Sequence, residues 1–177
     1  MRVIGGELKR RPILYPTKKG LRPTRGMVRE AIFDILGERI KNAKVCDLFC
    51  GAGSLGIEAL SRGASSVTFV EKDPKTFSFL KRNTSPFKDR VKLRRMDVDR
   101  FLKRAEEKFD IIFLDPPYNK GLILKTLKRL KEKGFLADNT LIVVEHSTTE
   151  PVPILKAIKK ERERIYGDTV ITLLSKG

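Results

Sequence analysis

The chain has 177 residues, 40% of them hydrophobic and 34% charged, with a net charge of +16; this composition excludes a disordered chain and leaves room for one well-buried core rather than two large domains. Two cysteines and one histidine exclude a disulfide framework and a four-cysteine metal site. No apolar run approaches the ~20 residues that span a bilayer, and the start "MRVIGGELKRRP" lacks the apolar segment of a signal peptide, so a cytoplasmic protein without membrane attachment is expected.

Two β-like runs at residues 2–4 and 12–15 flank a basic segment as in a hairpin, giving a small basic extension at 1–26 ahead of a main domain at 27–177. Residues 1–44 hold twelve Lys/Arg against four Asp/Glu, so half the net charge sits in the first quarter of the chain. Such density points to a polyanion, because neutralising phosphates releases counterions and gives salt-sensitive affinity. Nucleic acid is the expected partner; a solvated, Lys-rich surface is the plain alternative.

Next, "TRGMVREAIFDILGERI" sets Val28, Ala31, Ile32, Ile35 and Leu36 at helical spacing, with Thr24 as a candidate cap. From residue 44 the periodicity alternates: strand 45–49, helix 54–62, strand 67–71, helix 74–83, strand 91–95, helix 97–107, strand 109–114, helix 120–131 and strand 141–145. Asp73 before Pro74 suits a cap and first turn. This alternation implies right-handed crossovers and a mostly parallel sheet with helices on both faces, an α/β fold. The end differs: "RERIYGDTVITLLS" offers two strand-like runs about Tyr166-Gly167-Asp168, too close for a helical crossover and therefore antiparallel. Cys46 and Cys50 read as buried free thiols, and His146 as a packed or surface histidine.

The first core strand runs into "GAGSLG", which places Gly51, Gly53 and Gly56 between that strand and its helix, where glycine permits a tight turn and close backbone approach to a ligand. Glu71 ends the next strand, where a carboxylate can accept hydrogen bonds from ribose hydroxyls. An adenosine-containing cofactor follows, with NAD and S-adenosylmethionine both open. Asp47 shifts the balance, since an acid just ahead of the loop could meet an ammonium group, which methionine carries and NAD lacks; capping of nearby backbone is its alternative. Phe49, at the end of the same strand, joins the cofactor set. Asp97 follows the third core strand and could accept from the adenine amino group, with Asp99 or simple helix capping as alternatives.

"IIFLDPPYNK" drives four apolar residues straight into an acid, two prolines and a tyrosine. Here Asp115, Pro116, Pro117 and Tyr118 stand at the carboxyl end of the fourth core strand, where open α/β sheets bind ligands. An exocyclic amine on a base is a poor nucleophile because its lone pair is delocalised. Asp115 and the Pro116 carbonyl can accept its N–H bonds, the prolines restrict the turn, and Tyr118 offers a face for stacking. Such chemistry needs neither metal nor histidine.

These segments together resemble the S-adenosylmethionine-dependent methyltransferases that act on amino groups, and more narrowly the bacterial 16S ribosomal RNA guanine-N2 methyltransferase family. The resemblance rests on "MRVIGGELKRRPI", "RPTRGMVREAIFDIL", "DLFCGAGSLGIEALSRGA", "FLDPPY" and "YGDTVITLL" in order, nearly the whole chain. It implies a Rossmann-like, seven-stranded sheet of order 3-2-1-4-5-7-6, S-adenosylmethionine as cofactor, and methyl transfer to N2 of one guanosine, on an assembled or nearly assembled small subunit. A monomer is expected. Arg2, Lys9, Arg10, Arg11, Lys18, Lys19, Arg22 and Arg25 then become candidates for the phosphates flanking an extruded guanosine. Three alternatives stay open: an NAD-dependent dehydrogenase, a non-catalytic RNA-binding protein, and an adenine-N6 methyltransferase, whose target is also an exocyclic amine.

Overall fold

The computed structural model describes residues 1–16 and 26–177; the candidate cap Thr24 lies outside them. One seven-stranded sheet forms from β1 (Lys44–Leu48), β2 (Ser66–Val70), β3 (Val91–Arg94), β4 (Ile111–Leu114), β5 (Leu141–Ser147), β6 (Ile158–Tyr166) and β7 (Thr169–Lys176). The strand order is β3-β2-β1-β4-β5-β7-β6, with β7 running against the others. This is the topology that the resemblance implies.

Helices α1 (Gly26–Leu36), α2 (Ser54–Ser61) and α3 (Pro74–Thr84) cover one face, and α4 (Val98–Arg104) and α5 (Leu122–Glu132) the other. Successive strand residues point to opposite faces, so central strands that are apolar throughout feed two cores. Val45, Phe69, Phe113 and Val143 pack with Phe33, Leu60 and Leu80 of α1, α2 and α3. On the opposite face Cys46, Leu48, Ile112, Leu114 and Val144 pack with Leu102, Leu127 and Leu130 of α4 and α5. Each such side chain contributes about 1.5–3 kcal/mol. Phe33 fixes α1 edge-on to Phe113, with ring centroids 5.8 Å apart.

Local chemistry sets most boundaries. Asp73 accepts the Thr76 N–H at 2.8 Å and Pro74 occupies the first turn of α3, as its sequence predicts. Helix α4 stops at Arg104, short of the expected 107, and Ala105 turns extended. Glu106, Glu107 and Lys108 offer the sheet no apolar group, and Glu107 meets Lys92 of β3 instead, at 2.5 Å. The β6–β7 connection is the two-residue Gly167–Asp168 turn, with Gly167 at φ +61°. Among the described residues no helix is long and apolar enough to cross a membrane.

The N-terminal runs meet in a single antiparallel bridge, Arg2 with Pro12, and pack against the main sheet's helices. Val3 and Ile13 are buried in the same core as α1–α3. Glu58 of α2, itself fully buried, accepts the Ile4 and Gly5 N–H groups at 2.8 and 2.7 Å and the Arg62 Nε at 2.9 Å. Asn83 of α3 bonds both the N–H and the carbonyl of Leu14. Burying that many backbone groups requires such partners, and here two side chains supply them.

Candidate active site

Strand register decides which side chains gather at the carboxyl edge of the sheet. Val70, Leu48, Leu114 and Val144 pair across β2, β1, β4 and β5. One residue further along, the same strands present Glu71, Phe49, Asp115 and Glu145, which therefore form a row along one rim. Three carboxylates thus line this rim from segments far apart in sequence, while the half-buried Phe49 ring packs toward the α4 and α5 core.

The loop between β1 and α2 bends through three left-handed residues, Phe49 (φ +60°), Gly51 (φ +56°) and Gly53 (φ +90°). A phenylalanine in that region is strained, a cost that persists where a site requires the shape. No atom lies within 4 Å of where a Gly51 Cβ would stand, so its Cα faces open space. Gly56 answers a different need, because a Cβ there would lie 2.2 Å from the Phe69 ring; glycine lets α2 sit close on β2.

Glu71 is half-buried, with Oε2 accepting the Gly51 N–H at 3.0 Å and Oε1 the Asp73 N–H at 2.7 Å. A carboxylate has about four lone-pair sites, so two anchoring bonds leave capacity toward the crevice. Asp47 lies beneath the loop, 1% exposed, and its Oδ2 accepts the Gly56 N–H at 2.9 Å. Burial pushes this carboxyl up to about 7, against the pull of the Gly56 bond and with help from the Glu71 charge. The capping role left open by the sequence is thus present. Asp97, exposed beyond β3, caps α4 by accepting the Asp99 N–H at 2.9 Å.

In the Asp115–Tyr118 segment, Pro116 is buried, Pro117 exposed, and Asp115 and Tyr118 half-buried. The Tyr118 hydroxyl donates to Glu145 Oε1 at 3.3 Å. Burial raises the Tyr118 hydroxyl to about 12; a bond with Thr169 opposes this, and the Glu145 and Asp115 charges add to it. The following turn is fixed by Glu150, which accepts the Asn119 N–H and, at 3.2 Å, the Gly121 N–H. Glu145 and Glu150 escaped the sequence reading. Glu145 carried the same signal as Glu71, an acid ending an apolar strand.

The basic candidates divide. Arg2, Lys9 and Arg10 are exposed and Arg11 is half-buried, while Lys18, Lys19, Arg22 and Arg25 lie outside the described residues. The turn carrying Lys9 and Arg10 docks at the far end of α2, where the Leu8 N–H donates to Ser61 Oγ at 2.9 Å. That is about one helix length, ~12 Å, from the glycine loop. Further along, Asn83 joins Leu14 to that loop through the Ala52 carbonyl at 3.0 Å. Cys46 and Cys50 are buried free thiols, and His146 is buried with Nε2 2.8 Å from Thr172 Oγ1. Among the described residues no His/Cys/Asp/Glu group could hold a metal ion.

The family model described as Conserved hypothetical protein 95 matches residues 1–175. A Buchnera aphidicola (subsp. Acyrthosiphon pisum) protein named Ribosomal RNA small subunit methyltransferase D is 38% identical over 156 residues, covering 87% of this chain and 82% of its own. The Escherichia coli K12 protein of the same name is 35% identical over 175 residues, 98% of this chain and 88% of its own. Among solved structures, Escherichia coli yhhF superposes with a TM-score of 0.90 at 33% identity, covering 99% of this chain and 97% of that one. An RNA methyltransferase from Salinibacter ruber, solved with S-adenosyl-L-homocysteine, shares the fold at a TM-score of 0.66 and 17% identity, over 86% and 92% of the two chains. Matched from end to end, the chain belongs to the Conserved hypothetical protein 95 family and is a relative of the proteins named ribosomal RNA small subunit methyltransferase D.

Proposed function

We propose that this protein is an S-adenosylmethionine-dependent ribosomal RNA methyltransferase acting on the exocyclic N2 amine of a guanosine in 16S RNA. It works as a cytoplasmic monomer on the assembled or nearly assembled small subunit. The observation that carries this reading is the rim row of Glu71, Phe49, Asp115 and Glu145, with an anchored acid at one end and an Asp-Pro-Pro-Tyr turn at the other.

The chain's residues fit the cofactor. Glu71, held from below by two backbone N–H groups, keeps acceptors for ribose hydroxyls. Gly51 leaves open space at the loop, Gly53 and Gly56 let the loop and α2 pack closely, and Phe49 lines its edge. Asp47, sealed beneath the loop, acts on the cofactor site by holding the Gly56 N–H and so the loop's shape, and Asp97 would meet the adenine amino group. When bound, S-adenosylmethionine supplies an electrophilic methyl on a sulfonium.

At the other end Tyr118 gives a face for the extruded base, its ring oriented by the hydroxyl bond to Glu145. Asp115 and the Pro116 carbonyl accept the amine's two N–H bonds, which turns the nitrogen lone pair out of the ring plane and toward the crevice. Pro117 limits the turn, so the acceptors are held before the base arrives. The extra proton on the methylated nitrogen is acidic and leaves late, to Asp115 or to water. The basic N-terminal residues, with Arg2, Lys9 and Arg10 at the far end of α2 from the glycine loop, hold phosphates more distant from the target nucleotide.

Small ribosomal subunits, naked 16S RNA and duplex DNA, each offered with methyl-labelled cofactor, test the reading by mass spectrometry of the labelled nucleoside. N2-methylguanosine from subunits or 16S RNA is expected. Label on adenine N6 would overturn the base assignment, and no transfer to any of the three would overturn the function.

A further inference from the structure

We infer that the exposed edge strand β6 is a second RNA-contact surface, on which Arg162 and Arg164 hold phosphates beside the target nucleotide; this rests on the ribosomal RNA reading above. Glu145 of β5 pairs with Ile171 of β7, and Ile171 pairs with Arg164 of β6. Asp115 precedes Glu145 in the same row, so Asp115, Glu145, Ile171 and Arg164 lie side by side. At ~4.8 Å per strand, Arg164 stands ~14 Å from Asp115 along the rim, and Arg162 lies one pleat repeat further down.

A β-bulge puts both arginines on the face that matters. Pairing jumps from Lys160–Leu174 to Arg162–Leu173, leaving Glu161 as the extra residue. Without that step, Lys160, Arg162 and Arg164 would share a face by simple alternation. With it, Lys160 falls on the Leu174 side, whereas Arg162 and Arg164 stand level with Leu173 and Ile171, on the side of Phe113 and Val143. Glu145, Thr169 and Tyr166 occupy that same face by the same register. The Tyr118 hydroxyl donates to Glu145 on that face at 3.3 Å, so the surface that carries the base platform continues along the register to the arginines.

The strand's acids are already engaged. Glu163 meets Lys160 at 3.1 Å and accepts from Thr172 at 3.1 Å. Glu161 meets Lys159 at 3.3 Å and accepts from Ser175 at 2.6 Å. Among the described residues Arg162 forms no ion pair, and Arg164 donates only to the Glu163 carbonyl at 3.3 Å. Both are exposed. Two unneutralised guanidiniums beside a nucleic-acid site complement a phosphodiester, which matches their planar fork. Edge strands also carry charge simply to prevent strand addition, and the two roles separate experimentally.

The test compares wild type, Arg162→Gln/Arg164→Gln, and Lys128→Gln/Lys160→Gln, which removes two cations from the opposite side. Each is assayed for binding of 16S RNA across a salt series, for RNA KM and kcat, and for thermal melting. The arginine pair is expected to raise KM about fivefold to tenfold and to flatten the salt slope by about 1.4 to 1.8, with kcat and melting unchanged; the lysine pair is expected to leave the slope within about 0.5 of wild type. An arginine-pair slope equal to wild type would reduce these residues to edge protection, and equal changes in both pairs would reduce them to bulk charge; either overturns the inference. If wild type itself neither binds nor methylates RNA, the underlying function falls with it.

Discussion

Replacing Asp47 by Asn isolates the titration of a carboxyl sealed beneath the cofactor loop. Asn keeps an oxygen able to accept the Gly56 N–H, so the cap bond survives while the charge is lost. In the folded protein the carboxyl is raised from an ordinary 3.8 to about 7, chiefly by burial. Between these values the native state holds a proton that the unfolded chain has released, so stability falls as pH rises. The contribution is whole below about pH 4 and is lost as pH climbs through 7, the reverse of a salt-bridged aspartate. Three units at about 1.4 kcal/mol each give about 4 kcal/mol in all, of which about 2.5 kcal/mol falls between pH 5 and pH 8. Urea unfolding of ligand-free wild type and Asp47→Asn at intervals across that range supplies the assay, and subtraction removes the titrations common to both. Wild type is expected to lose about 2.5 kcal/mol relative to the variant from pH 5 to pH 8, or about 5–10 °C in Tm. Parallel pH profiles would refute the reasoning.

Two further outcomes follow from the contacts. Tyr118→Ala is expected to raise the RNA KM by about 5- to 150-fold, the worth of one stacked base, while Tyr118→Phe keeps the ring and changes it less than about threefold; steady-state kinetics with saturating cofactor measures both, and a Phe variant as impaired as Ala would mean the hydroxyl bond to Glu145 matters more than the face. Glu58→Ala strips the acceptor from Ile4, Gly5 and Arg62 and leaves Arg29 without its carboxylate, an expected loss of about 3 kcal/mol. Hydrogen exchange should then rise first in residues 1–16, and unchanged protection there would count against Glu58 as their clasp.

The alternation of strands and helices was legible because central parallel strands are apolar on both faces, and the strand order followed from the resemblance. The glycine loop, Glu71 and the Asp115–Tyr118 turn were legible because each sits just past an apolar run, where a polar residue needs a reason. What the sequence could not show depends on register. Glu145 joins the row only once β5 pairs with β4, and Arg164 reaches the same rim only through β7. The bulge that turns Arg162 away from Lys160 leaves no mark in composition. Charge density drew attention to the N-terminal segment, yet the structure docks Lys9 and Arg10 at the distal end of α2. The early end of α4 reflects a run, Glu106 to Lys108, whose charge pattern suits a helix surface but offers nothing to bury.

The most direct test of the active-site assignment is methyl transfer to small subunits by Asp115→Ala, measured beside its S-adenosylmethionine affinity by calorimetry. If Asp115 holds the target amine, turnover falls by at least about a hundredfold while cofactor affinity stays near that of wild type. Turnover close to wild type, or lost cofactor binding in a variant that remains folded, would contradict that assignment.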